Sequence, residues 1–117
     1  MQSYRKLKVW SKSHDLTIKI YKITESFPDS EKYGLSSQMR RSAYSIPTNI
    51  AEGVGRNSNS VFLNFLNISL GSANELEYQI LLAKDLNYID CDKFNELNHE
   101  IGEIRAMLIS LESKINS

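Results

Sequence analysis

A set of polar side chains recurs at spacings of three and four residues in the second quarter of the chain: Gln38, Arg41, Ser45, Asn49, Glu52 and Arg56. Residues at such spacings lie on one face of a helix. Arginine guanidinium groups match phosphate oxygens bidentately, so this polar stripe is one candidate groove for phosphate or another polar ligand. The alternative is structural, with Glu52 pairing with Arg56 and Arg41 holding a carboxylate of a neighbouring helix or subunit. Such pairs are common on helix surfaces, which favours the structural interpretation.

A second cationic group lies near the start of the chain, where Tyr4 and Trp10 are interleaved with Arg5, Lys6, Lys8 and Lys12. Lysine and arginine can follow a phosphate backbone while nucleic-acid bases stack on aromatic rings. A solvated first helical turn, with Trp10 in the core, accounts for the same residues equally well. Both interpretations stay open.

No group of residues predicts an active site or a metal centre. Glu96-x-x-His99 matches one half of the paired motif of di-iron bundles, but the second half is missing and both residues fall outside the apolar seam. Cys91 lies between two aspartates, which disfavour the thiolate that a nucleophile needs. Gly53-x-Gly55 follows a helical pattern, so it ends a helix rather than cradling a phosphate. We therefore predict a protein that is not an enzyme and has no cofactor and no metal.

The composition is typical of a globular domain, with 117 residues of which 41% are apolar. A single cysteine excludes an intramolecular disulfide, and neither a signal peptide nor a membrane-spanning run is recognisable. These features predict one soluble, cytoplasmic domain over residues 1–117, without membrane contact.

Charge is distributed unevenly, although the net charge is zero. Residues 1–60 carry ten Lys/Arg and five Asp/Glu, and residues 61–117 carry four and nine. Attraction between oppositely charged helices or subunits accounts for this division, and so does a basic face for phosphates. The first is favoured, because a nucleic-acid-binding domain is usually basic overall.

Four helical segments, over about 6–26, 35–54, 58–86 and 91–115, predict an all-α, antiparallel up-down four-helix bundle. The fourth segment has apolar residues at every heptad seam position: Phe94, Leu97, Ile101, Ile104, Leu108, Leu111 and Ile115.

Pro47 interrupts the second segment and removes one helical hydrogen bond, so we predict a kink that exposes the carbonyl of Ala43.

The third segment carries apolar residues on more than one face, among them Phe65 and Ile68 beside the seam. The second face needs a partner, and we predict an oligomer interface that contains these two residues. Gly71 lies in mid-helix at a cost of about 1 kcal/mol relative to alanine, which predicts that another backbone crosses closely there.

Several segments of the chain resemble one known family. They are Lys8-Val9-Trp10, Phe27-Pro28, Tyr33-Gly34-Leu35, Gln38-x-Arg40-Arg41, Ser45-Ile46-Pro47-x-Asn49-Ile50-Ala51-Glu52-Gly53-x-Gly55-Arg56, Phe65-Leu66, and Gly71-Ser72 followed by Glu75-Leu76-Glu77. Over roughly residues 5 to 88 the sequence is similar to the four-helix-bundle proteins associated with intervening sequences of 23S ribosomal RNA genes.

The resemblance implies an antiparallel bundle that assembles into a homo-oligomer, a ring-shaped pentamer. It also implies kinship with the accessory proteins of diversity-generating retroelements, whose basic surface is implicated in contacts with nucleic acid and a reverse transcriptase. No enzymatic activity comes with it. By analogy, Arg40, Arg41 and Arg56 are the residues expected to contact nucleic acid.

Two functions follow as hypotheses. In the first, the protein is a non-enzymatic oligomer that binds RNA or a nucleic-acid-processing protein through basic residues of the first two helices. In the second, it is a protein-interaction scaffold without a nucleic-acid role.

Overall fold

The computed structural model describes residues 3 to 116, which fold into four long helices and two short 3-10 helices. The long helices are α1 (Lys8–Thr24), α2 (Leu35–Val54), α3 (Asn59–Asp85) and α4 (Cys91–Asn116). The 3-10 helices are Tyr4–Lys6, before α1, and Asp29–Glu31, between α1 and α2. Each long helix begins and ends within two residues of its predicted bounds. No strand is present in the described part of the chain, so the all-α prediction is confirmed.

The four helices form an up-down-up-down bundle, as predicted. Within the described residues, each helix contacts its two neighbours and none contacts the helix diagonally opposite. The ion pairs between α1 and α4 show the antiparallel direction, because Lys12 pairs with Glu103 and Lys19, further along α1, pairs with Glu96. Short connections between consecutive helices enforce the same arrangement.

The core receives side chains from all four helices at the spacings that the sequence predicts. Its largest members, each less than 2% exposed, are Leu16, Ile20, Met39, Ile46, Ile50, Leu66, Leu76, Ile80, Leu97, Ile101, Ile104 and Leu108. Burying each side chain of this kind contributes about 1.5–3 kcal/mol to folding, and these residues fix which face of every helix is left for other contacts.

Pro47 lies inside α2, which continues on both sides of it. Proline has no N–H for the carbonyl of Ala43. That carbonyl is not exposed, because the hydroxyl of Thr17 on α1 lies 3.1 Å from it in a buried position. The prediction of an exposed carbonyl is therefore wrong, since the crossing of α1 brings a donor to this point.

The start of α2 is stabilised by a carboxylate from outside the helix. The residue that precedes α2 is Gly34, which has no side chain to cap it. Instead, Glu31 Oε1 accepts the N–H of Leu35 at 3.0 Å, and Glu31 Oε2 accepts the hydroxyl of Tyr88 at 2.9 Å. These two hydrogen bonds lower the pKa of the Glu31 carboxyl, and the bond to Glu31 raises the pKa of Tyr88. The cap thus ties α2 to the connection between α3 and α4.

Changing Glu31→Gln is expected to make the stability of the protein less dependent on pH in the acid range. Because the pKa of Glu31 is lower in the folded state, its charge stabilises the fold above the ordinary glutamate pKa, and this stabilisation is lost as pH falls through the lowered value. Urea unfolding from neutral pH to pH 3 should show the original protein more stable than the variant at neutral pH, with the difference vanishing in acid. A difference independent of pH would contradict this account.

Candidate functional site

An aromatic groove of about 560 Å³ runs between α1 and α2. Its α1 wall contains Tyr4, Trp10, His14 and Tyr21, and its α2 wall contains Tyr44, Pro47, Thr48, Ala51 and Glu52. Its volume falls within the range of small-molecule sites, about 300–1,000 Å³. The groove lies on the outside of the bundle, where the sides of α1 and α2 that border each other face away from the core.

The rings of the α1 wall support one another. The ring of Tyr4 meets Trp10 edge-on with centroids 5.0 Å apart, and Trp10 stacks parallel on His14 at 5.1 Å. Trp10 is half-buried and His14 is exposed. These contacts hold the rings in place before any ligand arrives.

Arg40 holds α2 against the end of α1. Its Nε donates to Thr24 Oγ1 at 2.8 Å, one terminal nitrogen donates to the carbonyl of Tyr21 at 3.2 Å, and its guanidinium lies 4.8 Å from the Tyr21 ring centroid. A cation is favourable at the C-terminal end of a helix. Arg40, which the resemblance assigns to nucleic-acid contact, therefore has a structural role that accounts for its position.

The predicted basic cluster at the start of the chain is divided between two faces. Arg5 lies beside the aromatic groove, with its guanidinium 5.8 Å from the Tyr4 ring centroid. Lys8 lines a smaller depression against α4, and Lys12 Nζ lies 3.3 Å from Glu103 Oε1 of α4. Lys6 is exposed. Arg5, Lys6 and Lys8 are therefore exposed to solvent, whereas Lys12 is half-buried and paired with a carboxylate.

The uneven charge along the sequence is explained in part by contacts between α1 and α4. Lys19 Nζ lies 2.7 Å from Glu100 Oε1 and 3.1 Å from Glu96 Oε2. These hydrogen bonds, first to Glu100 and then to Glu96, raise the pKa of Lys19, and Lys19 in turn lowers the pKa of Glu96. Attraction between oppositely charged helices, the favoured interpretation of the sequence, occurs inside the fold.

The middle of the polar stripe is a hydrogen-bond network. Asn49 Nδ2 donates to the carbonyl and the hydroxyl of Ser45, and the hydroxyls of Ser45 and Ser72 on α3 lie 2.8 Å apart. The structural interpretation holds for these residues, because the network joins α2 to α3. Gln38 and Arg41 are exposed on the same face.

The predicted pair between Glu52 and Arg56 is not formed. Both side chains are exposed, and between residues 3 and 116 neither has an ion-pair partner. Arg56 lies instead over the ring of Phe65, 5.2 Å from its centroid. The prediction is wrong because α3 places an aromatic ring beside the end of α2, and a guanidinium is attracted to such a ring.

The outer face of α3 carries exposed apolar side chains among exposed polar ones, which are Asn64, Asn67, Asn74 and Glu75. We define the α3 outer face by Ile68, Gly71, Tyr78 and Leu81, of which Ile68, Tyr78 and Leu81 are 51%, 61% and 41% exposed. Apart from the adjoining residues and backbone of α3 itself, no heavy atom of the described chain lies within 4 Å of a Cβ built on Gly71. No helix of the same chain therefore crosses α3 at this glycine.

Phe65, which was predicted at the interface together with Ile68, is half-buried and packs within the subunit. Its Cβ lies 3.0 Å from a Cβ built on Gly53, where α2 and α3 approach closely. The close backbone approach predicted for Gly71 is not found within the described residues, and at Gly53 it is the side chains of Phe62 and Phe65 that lie close.

Three rings of the aromatic groove, those of His14, Tyr21 and Tyr44, were not predicted from the sequence. A signal for the first two was present, because Trp10, His14 and Tyr21 follow one another at helical spacings of four and seven. Tyr44 becomes part of the same site through the crossing of α2, which sequence spacing does not reveal.

The described residues form neither a metal-binding cluster nor a membrane-spanning helix. Among residues 3 to 116, no group of three or more His, Cys, Asp and Glu side chains could hold a metal ion. Cys91 is exposed, and His99 Nε2 lies on the surface 3.6 Å from Glu103 Oε1. Within the same range, no helix has the length and apolar character that crossing a membrane requires.

Comparison with known proteins supports the family resemblance. The model of the 23S rRNA-intervening sequence protein family matches residues 5–110. Among solved structures, the chain is similar to a protein of unknown function from the S23 ribosomal protein family of Bacteroides thetaiotaomicron VPI-5482, with 33% sequence identity and a TM-score of 0.83. The match covers 93% of this chain and 96% of that chain. No curated protein matches. The chain belongs to the family of 23S rRNA-intervening sequence proteins, as its motifs predict.

Proposed function

We propose that this protein is a non-enzymatic subunit of a homo-oligomer that binds RNA through a cationic end of the bundle. We define the cationic end by Arg5, Lys6 and Arg56. These residues lie at the same end because α1 begins there and α2 ends there. The family description, which refers to intervening sequences of 23S rRNA, supports RNA as the polyanion.

The observation that carries this proposal is a division among the cations. Lys12, Lys19, Lys93 and Arg105 are each paired with a carboxylate of α3 or α4. The three residues of the cationic end are exposed and have no carboxylate within 4 Å in the described part of the chain. Lys22, Lys32 and Arg41 are also exposed and have no ion pair among residues 3 to 116. At the cationic end, three such cations lie together and can attract phosphates without first giving up a carboxylate partner.

The test is a reversal of these charges. RNA affinity of the triple variant Arg5→Glu, Lys6→Glu, Arg56→Glu is expected to fall strongly, because each neutralised phosphate releases counterions. The dependence of log affinity on log salt concentration should also become shallower by about 2, at roughly 0.7 per lost contact with a single strand. Fluorescence anisotropy of a labelled single-stranded RNA at several salt concentrations measures both quantities.

Arg41→Glu is a matched control for the single reversal Arg56→Glu. Arg41 is also exposed on α2, but it lies fifteen positions before Arg56, roughly 20 Å along the helix. Its reversal is expected to have a smaller effect, although Arg41 was among the predicted nucleic-acid contacts. Arg40 is unsuitable for reversal, because its loss would loosen α1 from α2. Unchanged affinity and salt dependence in the triple variant would rule out the cationic end.

The homo-oligomeric part of the proposal is supported by the α3 outer face. Ile68, Tyr78 and Leu81 are exposed on the same side of α3 as a helical glycine that nothing in the subunit requires, and a glycine permits another backbone to come close. A second copy of the chain packed on this face would bury these side chains, and its backbone could approach α3 closely at Gly71. The ring-shaped pentamer implied by the family resemblance is one such assembly.

The second candidate function is a protein-interaction scaffold without a nucleic-acid role. The net charge of zero and the α3 outer face favour it. It differs from the first in one measurable respect, since a scaffold would assemble through α3 and yet show no salt-dependent affinity for RNA.

A further inference from the structure

We infer that the aromatic groove between α1 and α2 accepts unpaired bases of single-stranded RNA, which stack on its rings. The inference rests on the proposed RNA binding and deepens it, because it names the form of RNA that the protein would select. A duplex keeps its bases stacked inside the helix, whereas a single strand can turn them outward.

The walls of the groove have the chemistry that base stacking needs. Tyr4, Trp10, His14 and Tyr21 supply rings from one side and Tyr44 supplies one from the other. Every base has a π-face, so stacking of this kind tolerates many sequences. The edge-on and parallel contacts among Tyr4, Trp10 and His14 keep these rings ordered, which reduces the entropy lost on binding.

The groove is continuous with the cationic end. Tyr4, which lines it, belongs to the same 3-10 helix as Arg5 and Lys6. A strand whose phosphates are held by these two cations therefore has its neighbouring bases beside the groove. The guanidinium of Arg5 lies on the Tyr4 side, 5.8 Å from that ring centroid.

The α2 wall adds a feature that suits bases better than phosphates. Glu52 lines the groove and is exposed. Its carboxylate repels a phosphate but accepts hydrogen bonds from the amino groups on base edges, as carboxylates do with cytosine. This arrangement favours a strand with its phosphates at the cationic end and its bases inside the groove.

Trp10 provides a direct readout, because it is the single tryptophan of the chain and lines the groove. The full-length protein is titrated with a single-stranded RNA of about 12 nucleotides, within the usual site sizes. A second titration uses an abasic ribose-phosphate strand of the same length and charge. We expect the RNA to quench Trp10 fluorescence and to bind more tightly than the abasic strand, which should leave the emission unchanged.

Two tyrosine variants separate stacking from general effects. Tyr44→Ala removes a ring of the groove and is expected to weaken binding of the RNA roughly tenfold or more, while the affinity and salt dependence of the abasic strand stay the same. Tyr33→Ala is the matched control, because Tyr33 is highly exposed outside the groove and its loss should change neither affinity.

The possible outcomes distinguish this inference from the function on which it rests. Equal binding of the two strands, or equal quenching by them, would overturn base stacking and leave phosphate binding at the cationic end intact. Failure of both strands to bind would overturn the proposed function and this inference together. If Tyr44→Ala lowered the mass of the protein in solution, the groove would hold a second copy of the chain rather than bases.

Discussion

Replacing Gly71 with glutamine is expected to dissociate the proposed homo-oligomer into single bundles, while the bundle itself becomes slightly more stable. Glutamine is a better helix former than glycine by close to 1 kcal/mol in a helix interior. Within the described subunit a side chain at this position has open space, since nothing lies within 4 Å of a Cβ built there. In the proposed homo-oligomer, the destabilised surface is therefore the one between copies, where a side chain would keep the second backbone from approaching.

Gly102→Gln is the matched control for this prediction. Gly102 also lies within a long helix, α4, and a Cβ built on it likewise meets nothing within 4 Å in residues 3 to 116. Both variants should gain similar stability as bundles, but Gly102→Gln should keep the assembly. Light scattering after size-exclusion chromatography gives the masses. An assembly that survives Gly71→Gln would show that α3 does not pack closely against a second copy at this glycine.

Leu76→Ala is expected to have the largest effect on stability, lowering the free energy of unfolding by about 2–5 kcal/mol. Leu76 is fully buried in the core on the inner side of α3. Its truncation removes apolar contacts and leaves a cavity that the neighbouring core side chains can fill only in part. Urea unfolding measures this loss of free energy, and the dependence of that free energy on urea concentration should stay the same in the variant.

Leu81→Ala tests the same change on the outer side of the same helix. Leu81 is 41% exposed, so its truncation in a single bundle should cost much less than that of Leu76. Equal costs for the two variants would mean that α3 is rotated about its axis, and the α3 outer face would then be wrongly assigned.

The four-helix fold could be predicted because its signals are local and repeated. In α4, the seam residues Leu97, Ile101, Ile104 and Leu108 recur at intervals of three and four, and all four are buried. A helix with such a stripe must bury it, and short connections leave few ways to arrange four of them. The bounds of α2 were also predicted correctly, with Leu35 after Gly34 at one end and Gly53-x-Gly55 at the other.

The partners of individual polar residues could not be predicted, because they depend on how helices cross. The carbonyl of Ala43 accepts a hydrogen bond from the hydroxyl of Thr17, which is 26 positions away, and Arg40 donates one to Thr24. The pairing of Glu52 with Arg56 was predicted from the spacing along one helix. In the structure the guanidinium of Arg56 lies over the ring of Phe65 on α3 instead. Spacing along a helix determines which side chains can meet, and the neighbouring helix determines which of them do.

The aromatic groove illustrates the same limit for the candidate site. Tyr4 and Trp10 were recognised from their place among cations, but the site also requires Tyr44 from α2, which lies on the opposite wall. The cations were likewise recognised by residue type, while their availability depends on α4, whose glutamates neutralise Lys12 and Lys19. What remains exposed at the cationic end is a property of the folded bundle.

The central claim, RNA binding at the cationic end, is tested most directly by the affinity of the unmodified protein for a single-stranded RNA at about 50 and 200 mM salt. Three phosphate contacts per chain, at roughly 0.7 each in the logarithmic salt dependence, correspond to an affinity that falls by at least about tenfold over this range. We predict binding at the lower salt concentration and a loss of that size at the higher one. No binding at low salt, or an affinity that does not change with salt, would contradict the claim.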